Sequence, residues 1–146
     1  MRTAAFVFAL LFAPIAAISG SNPDGANTYV RFSASLRAST PGRPGAVHFE
    51  LHPNKGIHVN LEPPISVAFD SASPVKPSGK LDIPRLEKVP YLDPAKPIVQ
   101  RVTIPRQNGK DTLTLKGTLT YFYCSDAEGW CSKFKQPFVL TLPAAR

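Results

Sequence analysis

The sequence predicts an all-β domain built as an antiparallel sandwich, and three observations carry that prediction. Apolar and polar residues alternate with period two in one short stretch after another. Clusters of proline, glycine, asparagine and aspartate punctuate those stretches as turns. Sixteen prolines and nine glycines in 146 residues leave little room for long helices. About eight or nine short strands spaced in this way suit a two-sheet sandwich of immunoglobulin-like type.

Taken in order, Thr28 to Arg37 alternates, with Val30, Phe32 and Leu36 on one side and Arg31, Ser33, Ser35 and Arg37 on the other. Pro41-Gly42-Arg43-Pro44-Gly45 is a turn by composition. Val47, Phe49 and Leu51 then alternate with His48, Glu50 and His52. Pro53-Asn54-Lys55-Gly56 turns the chain into Ile57, Val59 and Leu61, which alternate with His58 and Asn60. Ile65, Val67 and Phe69 follow the Pro63-Pro64 break. From Ser71 to Pro97 the pattern weakens into a proline-rich stretch with short apolar pieces around Leu81, Ile83 and Leu86. It returns at Ile98, Val102 and Ile104, and again at Leu113 and Leu115.

The clearest pair of strands comes last. Leu119, Tyr121 and Tyr123 alternate with Thr118, Thr120 and Phe122; beyond Ser125-Asp126-Ala127-Glu128-Gly129, Phe134, Phe138, Leu140 and Leu142 alternate mostly with polar residues. This reads as a hairpin with a longer loop. Cys124 and Cys131, the only cysteines in the chain, sit near its base. Facing positions on paired strands hold their Cβ atoms about 4.5–5.5 Å apart, close to what a disulfide needs.

The N-terminus reads as a secretory leader. Arg2 supplies a positive start, Ala4 to Ala17 is apolar with Pro14 inside it, and Ala16, Ala17, Ser19 and Gly20 are small. Cleavage fits after Ala17, Ser19 or Gly20, so residues 1–19 are assigned to the leader and 20–146 to a single domain. The apolar run is too short and too proline-broken for a membrane span, and the mature chain is expected to have none. Two cysteines in an exported chain fit an oxidising, periplasmic or secreted setting. The net charge of +7 comes from scattered residues, with no Lys/Arg run and no basic-aromatic interleaving, which argues against nucleic acid. It would favour an acidic partner or an anionic membrane surface.

No Ser-His-Asp order, phosphate loop or paired-carboxylate motif stands out. His48 and His52 share strand parity, but four strand residues span about 13 Å, too far for one ion. His58 with the cysteines would make at most a weak copper-type site. All three histidines alternate against apolar neighbours, so a solvated sheet face is the expectation, and neither metal nor cofactor is expected.

The disulfide has two readings. As a staple it closes a loop of about eight residues, contributing roughly 2–3 kcal/mol in the chain-entropy model. As a reactive pair it lies at a loop tip among Phe122, Tyr123, Trp130 and Phe134, within reach of another protein. It is not the bridge of immunoglobulin domains, which joins the two sheets through the core.

The segment Tyr121 to Cys131, ending in Gly129-Trp130-Cys131, resembles the active-site hairpin of the N-terminal periplasmic domain of DsbD-type thiol:disulfide interchange proteins. The run Gly56-Ile57-His58-Val59-Asn60 also resembles an early strand of such domains. The likeness covers roughly Tyr29 to Leu142, although only the hairpin is specific. It departs from the family in having six residues between the cysteines, where five are common, and Ser132-Lys133 where prolines often follow. The resemblance implies an immunoglobulin-like carrier of reducing equivalents. Cys131 would be the attacking thiol and Cys124 the resolving one, with Tyr123 and Trp130 around them. Partners would be thioredoxin-fold proteins or a membrane electron-transfer protein in trans. Lys133 and Lys135 would favour a thiolate, and Asp126 and Glu128 would oppose it. Family members shield the disulfide with a cap loop; the counterpart would be Leu86 to Pro94 with Tyr91 as the shield. Its alternative is a plain proline-rich connection. The competing function is a non-catalytic immunoglobulin-like binding module with an inert disulfide.

Overall fold

A computed structural model describes residues 25–38, 44–105 and 112–142. The expected leader, residues 1–19, lies outside them. Among the described residues there are eight strands and no helix: β1 (Val30–Ala38), β2 (Pro44–Pro53), β3 (Ile57–Asn60), β4 (Ser66–Phe69), β5 (Lys76–Pro77), β6 (Ile98–Thr103), β7 (Leu113–Ser125) and β8 (Trp130–Leu142). It follows that no helix here is long and apolar enough to cross a membrane.

The strands form two antiparallel sheets packed as a sandwich, an arrangement consistent with an immunoglobulin-like fold. One sheet runs β1-β2-β6-β5. The other is built on β7, which pairs with β8 along its whole length on one side. Its other side is shared: β3 takes Phe122–Ser125 and β4 takes Gly117–Thr120. The last two strands are thus 13 residues each, longer than the short strands expected. In β7 the reason is the even alternation from Leu113 to Ser125, which no proline interrupts, and β8 keeps step with it because Pro137, of the same parity as Cys131, needs no N–H toward β7.

Alternation decides which residues meet in the middle. Val47, Phe49 and Leu51 of β2, Ile98 and Val102 of β6, Leu115, Leu119 and Tyr121 of β7, and Phe138 and Leu140 of β8 all point inward and are buried. Phe49 crosses between the sheets to meet Phe138 edge-on, ring centroids 5.0 Å apart. Each such side chain contributes about 1.5–3 kcal/mol by leaving water. Gly117 makes room for that contact: a Cβ there would stand 2.5 Å from Phe138 Cζ and 2.6 Å from the Ala68 carbonyl oxygen. Tyr121 is fully buried, and its hydroxyl accepts a hydrogen bond from Asn27 Nδ2 at 3.1 Å. Burial pushes its phenol up to about 12; the Asn27 hydrogen bond opposes the shift and Tyr123 adds to it.

The proline-rich stretch carries only the two residues of β5, but it is anchored. Val75 and Leu92 are buried in the core, and Asp82 exchanges backbone hydrogen bonds with Val99 at 2.9 Å.

Candidate functional site

The hairpin is tighter than its sequence suggests. Ser125 pairs with Trp130 and Cys124 with Cys131, so the turn is only Asp126-Ala127-Glu128-Gly129. Gly129 has φ +69°, a left-handed conformation that favours glycine, and its N–H donates to the Ser125 carbonyl at 2.9 Å. The cysteines therefore lie within the strands, directly opposite, with Cα atoms 4.1 Å apart and their sulfurs bonded. Such a close approach marks the non-hydrogen-bonded type of antiparallel pair.

The two cysteines have different surroundings. Period two places both on the outer face of the sheet, opposite the core-facing Tyr121 and Tyr123. Cys124 sits mid-sheet, flanked by Cys131 on one side and His58 of β3 on the other, and is 4 % exposed. Cys131 sits on β8, with no strand beyond it among the described residues, and is exposed.

Strand β3 supplies the groups next to Cys124. Asn60 Nδ2 donates to Cys124 Sγ at 3.0 Å, while Asn60 Oδ1 is buried with no hydrogen-bond partner among the described residues. His58 Nδ1 lies 3.3 Å from Asp126 Oδ2 of the hairpin turn. Its ring stacks on Tyr91, centroids 3.9 Å apart and 22° between planes. His58 is accordingly covered, its side chain 15 % exposed, where the sequence suggested a solvated face. His48 and His52 do lie on a solvent face, that of the other sheet, partly exposed. Partial burial is the main cause that lowers the His48 pKa; Arg37 adds to it and Glu50 opposes it.

Tyr91 belongs to the segment 86–94, which runs alongside β3 on the edge away from β7. Leu61 N–H donates to the Pro90 carbonyl at 3.0 Å, Leu92 N–H to the Val59 carbonyl at 2.9 Å, and Leu86 N–H to the Tyr91 carbonyl at 3.0 Å. Asp93 closes the segment's turn; the Ala95 N–H, then the Lys96 ammonium, hold its carboxyl below the usual range. These bonds place the Tyr91 ring over His58, and Tyr91, His58, Asn60, Cys124 and Cys131 line one hollow of about 440 Å³.

Comparison with protein-family models, with curated proteins and with solved structures returns no match.

The remaining aromatics divide between the faces. Tyr123 is buried on the core side, where it forms a cluster with Trp130 (5.7 Å) and Tyr29 (5.9 Å). Trp130 and Tyr29 also meet edge-on at 5.0 Å, and Trp130 Nε1 donates to Glu128. Phe134 packs against Tyr121 on that same inner side. Of the four aromatics near the cysteines in sequence, Phe122 shares the parity of Cys124, and Lys133 lies over its ring at 5.7 Å. Asp126 and Glu128, which would disfavour a thiolate, are engaged by His58 and Trp130. Among the described residues no three His, Cys, Asp or Glu side chains converge to hold a metal ion. Asn60 is the functional candidate that sequence reasoning missed as a neighbour of Cys124, and His58, weighed with the cysteines only as a metal ligand, instead stacks on Tyr91 beside it. Their signal was the alternation of Gly56 to Asn60, but only strand register puts them beside a cysteine more than sixty residues away.

Proposed function

We propose that this chain is a thiol–disulfide exchange domain of an exported, periplasmic setting, passing reducing equivalents through Cys124 and Cys131 to or from thioredoxin-fold partners. The observation that carries the reading is the asymmetry of the bridge: Cys131 is exposed on β8, with no strand beyond it among the described residues, and Cys124 is 4 % exposed between β8 and β3.

In the reducing direction of the partner, a partner thiolate attacks Cys131 Sγ. The Sγ–Sγ bond breaks, and its electron pair leaves on Cys124. A second partner thiolate then attacks the partner sulfur of the mixed disulfide, and Cys131 departs as a thiolate. Two electrons enter this chain, and the partner dithiol becomes a disulfide; protons exchange with solvent. In the opposite direction the Cys131 thiolate attacks a partner disulfide and Cys124 resolves it. Asn60 favours the first step, because its N–H stabilises charge on the departing Cys124 sulfur. In the thiol form, a turn of the same amide offers Oδ1 to the S–H.

The competing reading is a binding module with an inert staple. The two separate on redox potential and on trapping. Cys124→Ser should accumulate a mixed disulfide with oxidised thioredoxin-fold proteins, seen by non-reducing electrophoresis, because no internal thiol releases it. Cys131→Ser should trap little. Trapping by neither variant, together with a potential below about −300 mV, would leave the staple.

A further inference from the structure

We infer that the free edge of β8 is the docking strand for the redox partner, and that it fits an extended partner segment whose cysteine is preceded by acidic residues two and four positions earlier. The inference rests on the exchange reading above and adds how the partner is held. Cys124 and Cys131 form a close, non-hydrogen-bonded pair, so the N–H and C=O of Cys131 point away from β7. By the same alternation those of Lys133 and Lys135 point the same way. No hydrogen bond among the described residues reaches these groups. The free stretch has a built-in end. Pro137 is next in the series, has no N–H, and its carbonyl accepts from Gln136 Nε2 at 3.1 Å.

A strand added antiparallel at this edge would form a hydrogen-bonded pair with Cys131. The Cα atoms of such a pair are about 5.5 Å apart, inside the range a disulfide spans. A partner cysteine there projects from the same face as Cys131 and Cys124. The three sulfurs then form one row across three strands, with the attacking sulfur on the far side of Cys131 from the leaving one. That is the in-line arrangement displacement at sulfur requires.

The register also fixes what flanks the cysteine. With partner position p opposite Cys131, antiparallel pairing sets p−2 opposite Lys133 and p−4 opposite Lys135. Both lysines are exposed, and no carboxylate among the described residues pairs with either. Asp or Glu at p−2 and p−4 satisfies them. A second copy of this chain is disfavoured, since β8 against β8 brings lysines together.

The test uses reduced peptides against the oxidised protein, with disulfide loss read by acid quench, alkylation and mass. The probes are acetyl-Glu-Val-Glu-Val-Cys-Val-amide, its Lys-for-Glu counterpart, the acidic peptide N-methylated at its second Glu, and dithiothreitol. The acidic peptide should react about tenfold faster than its N-methylated form, the effect of losing one or two hydrogen bonds. The Lys peptide should be slower than the acidic one. Lys133→Pro, which copies the backbone of Pro137 and also removes one charge partner, should slow the acidic peptide at least to the N-methylated rate and by more than it slows dithiothreitol. A Lys133→Glu/Lys135→Glu protein should reverse the charge preference, independently of any proline effect on folding. Equal rates for the methylated and parent peptides, with dithiothreitol still reducing the bridge, would overturn the docking edge and leave exchange standing. A bridge that resists dithiothreitol as well would remove both.

Discussion

Asn60→Ala should make Cys124 a poorer leaving group, and the size of the effect follows from one contact. Asn60 Nδ2 lies 3.0 Å from Cys124 Sγ, and Cys124 is buried, so little water stands ready to replace that donor. Hydrogen bonds to a charged group are worth about 1.5–3 kcal/mol. Asn60 itself is part-buried, so the lower figure applies. A loss of about 1.4 kcal/mol is a tenfold fall in the fraction of Cys124 present as thiolate at fixed pH, or a pH profile moved up by about one unit. The assay is iodoacetamide alkylation of Cys124 across pH in a Cys131→Ser background, with and without Asn60→Ala. In the intact bridge the same change should slow reduction by dithiothreitol about threefold, given a leaving-group dependence comparable to the attacking one. Asn60→Asp, similar in shape but carrying a negative charge, should move the profile further in the same direction. A merely structural Asn60 would leave the pH profile where it is and lower only the melting temperature. Superimposable profiles for the parent and Asn60→Ala proteins would refute the argument.

Other outcomes follow from the same geometry. Tyr91→Ala removes the ring stacked on His58 and should speed alkylation of the reduced protein; an unchanged rate would make segment 86–94 a plain connection. Tyr121 should govern alkaline stability. Its folded pKa is raised from 10.0 to about 12, so the stability it contributes is complete below pH 10 and lost as pH rises to about 12. The contribution is on the order of 2–3 kcal/mol, and Tyr121→Phe should flatten denaturant midpoints across that window.

The alternation of apolar residues was legible in the chain because period two is a local property. Val47, Phe49 and Leu51, or Leu119, Tyr121 and Tyr123, announce an inward face whatever they pack against. Turn chemistry was equally local, and Pro53 to Gly56 and the polar run Ser125 to Gly129 announce turns by residue type alone. The two cysteines could be seen to face each other for the same reason. The length of the turn could not, because whether Ser125 and Trp130 pair depends on backbone register at the hairpin's end. The placement of Trp130 beside Tyr123 on the core side also needed that register.

Everything that makes the two cysteines unequal came from sequence-distant contacts. β3 lies on one side of β7, so Cys124 gains His58 and Asn60; β8 is an edge among the described residues, so Cys131 gains solvent. The stretch from Ser71 to Pro97 has weak periodicity because backbone hydrogen bonds to Val59, Leu61 and Val99, rather than an amphipathic pattern, hold it in place. Those bonds are made by main-chain groups that every non-proline residue possesses, so side-chain identity carries no trace of them. The sequence thus determined the faces of the strands, and the tertiary structure decided which strands lie side by side and which cysteine is left at the edge.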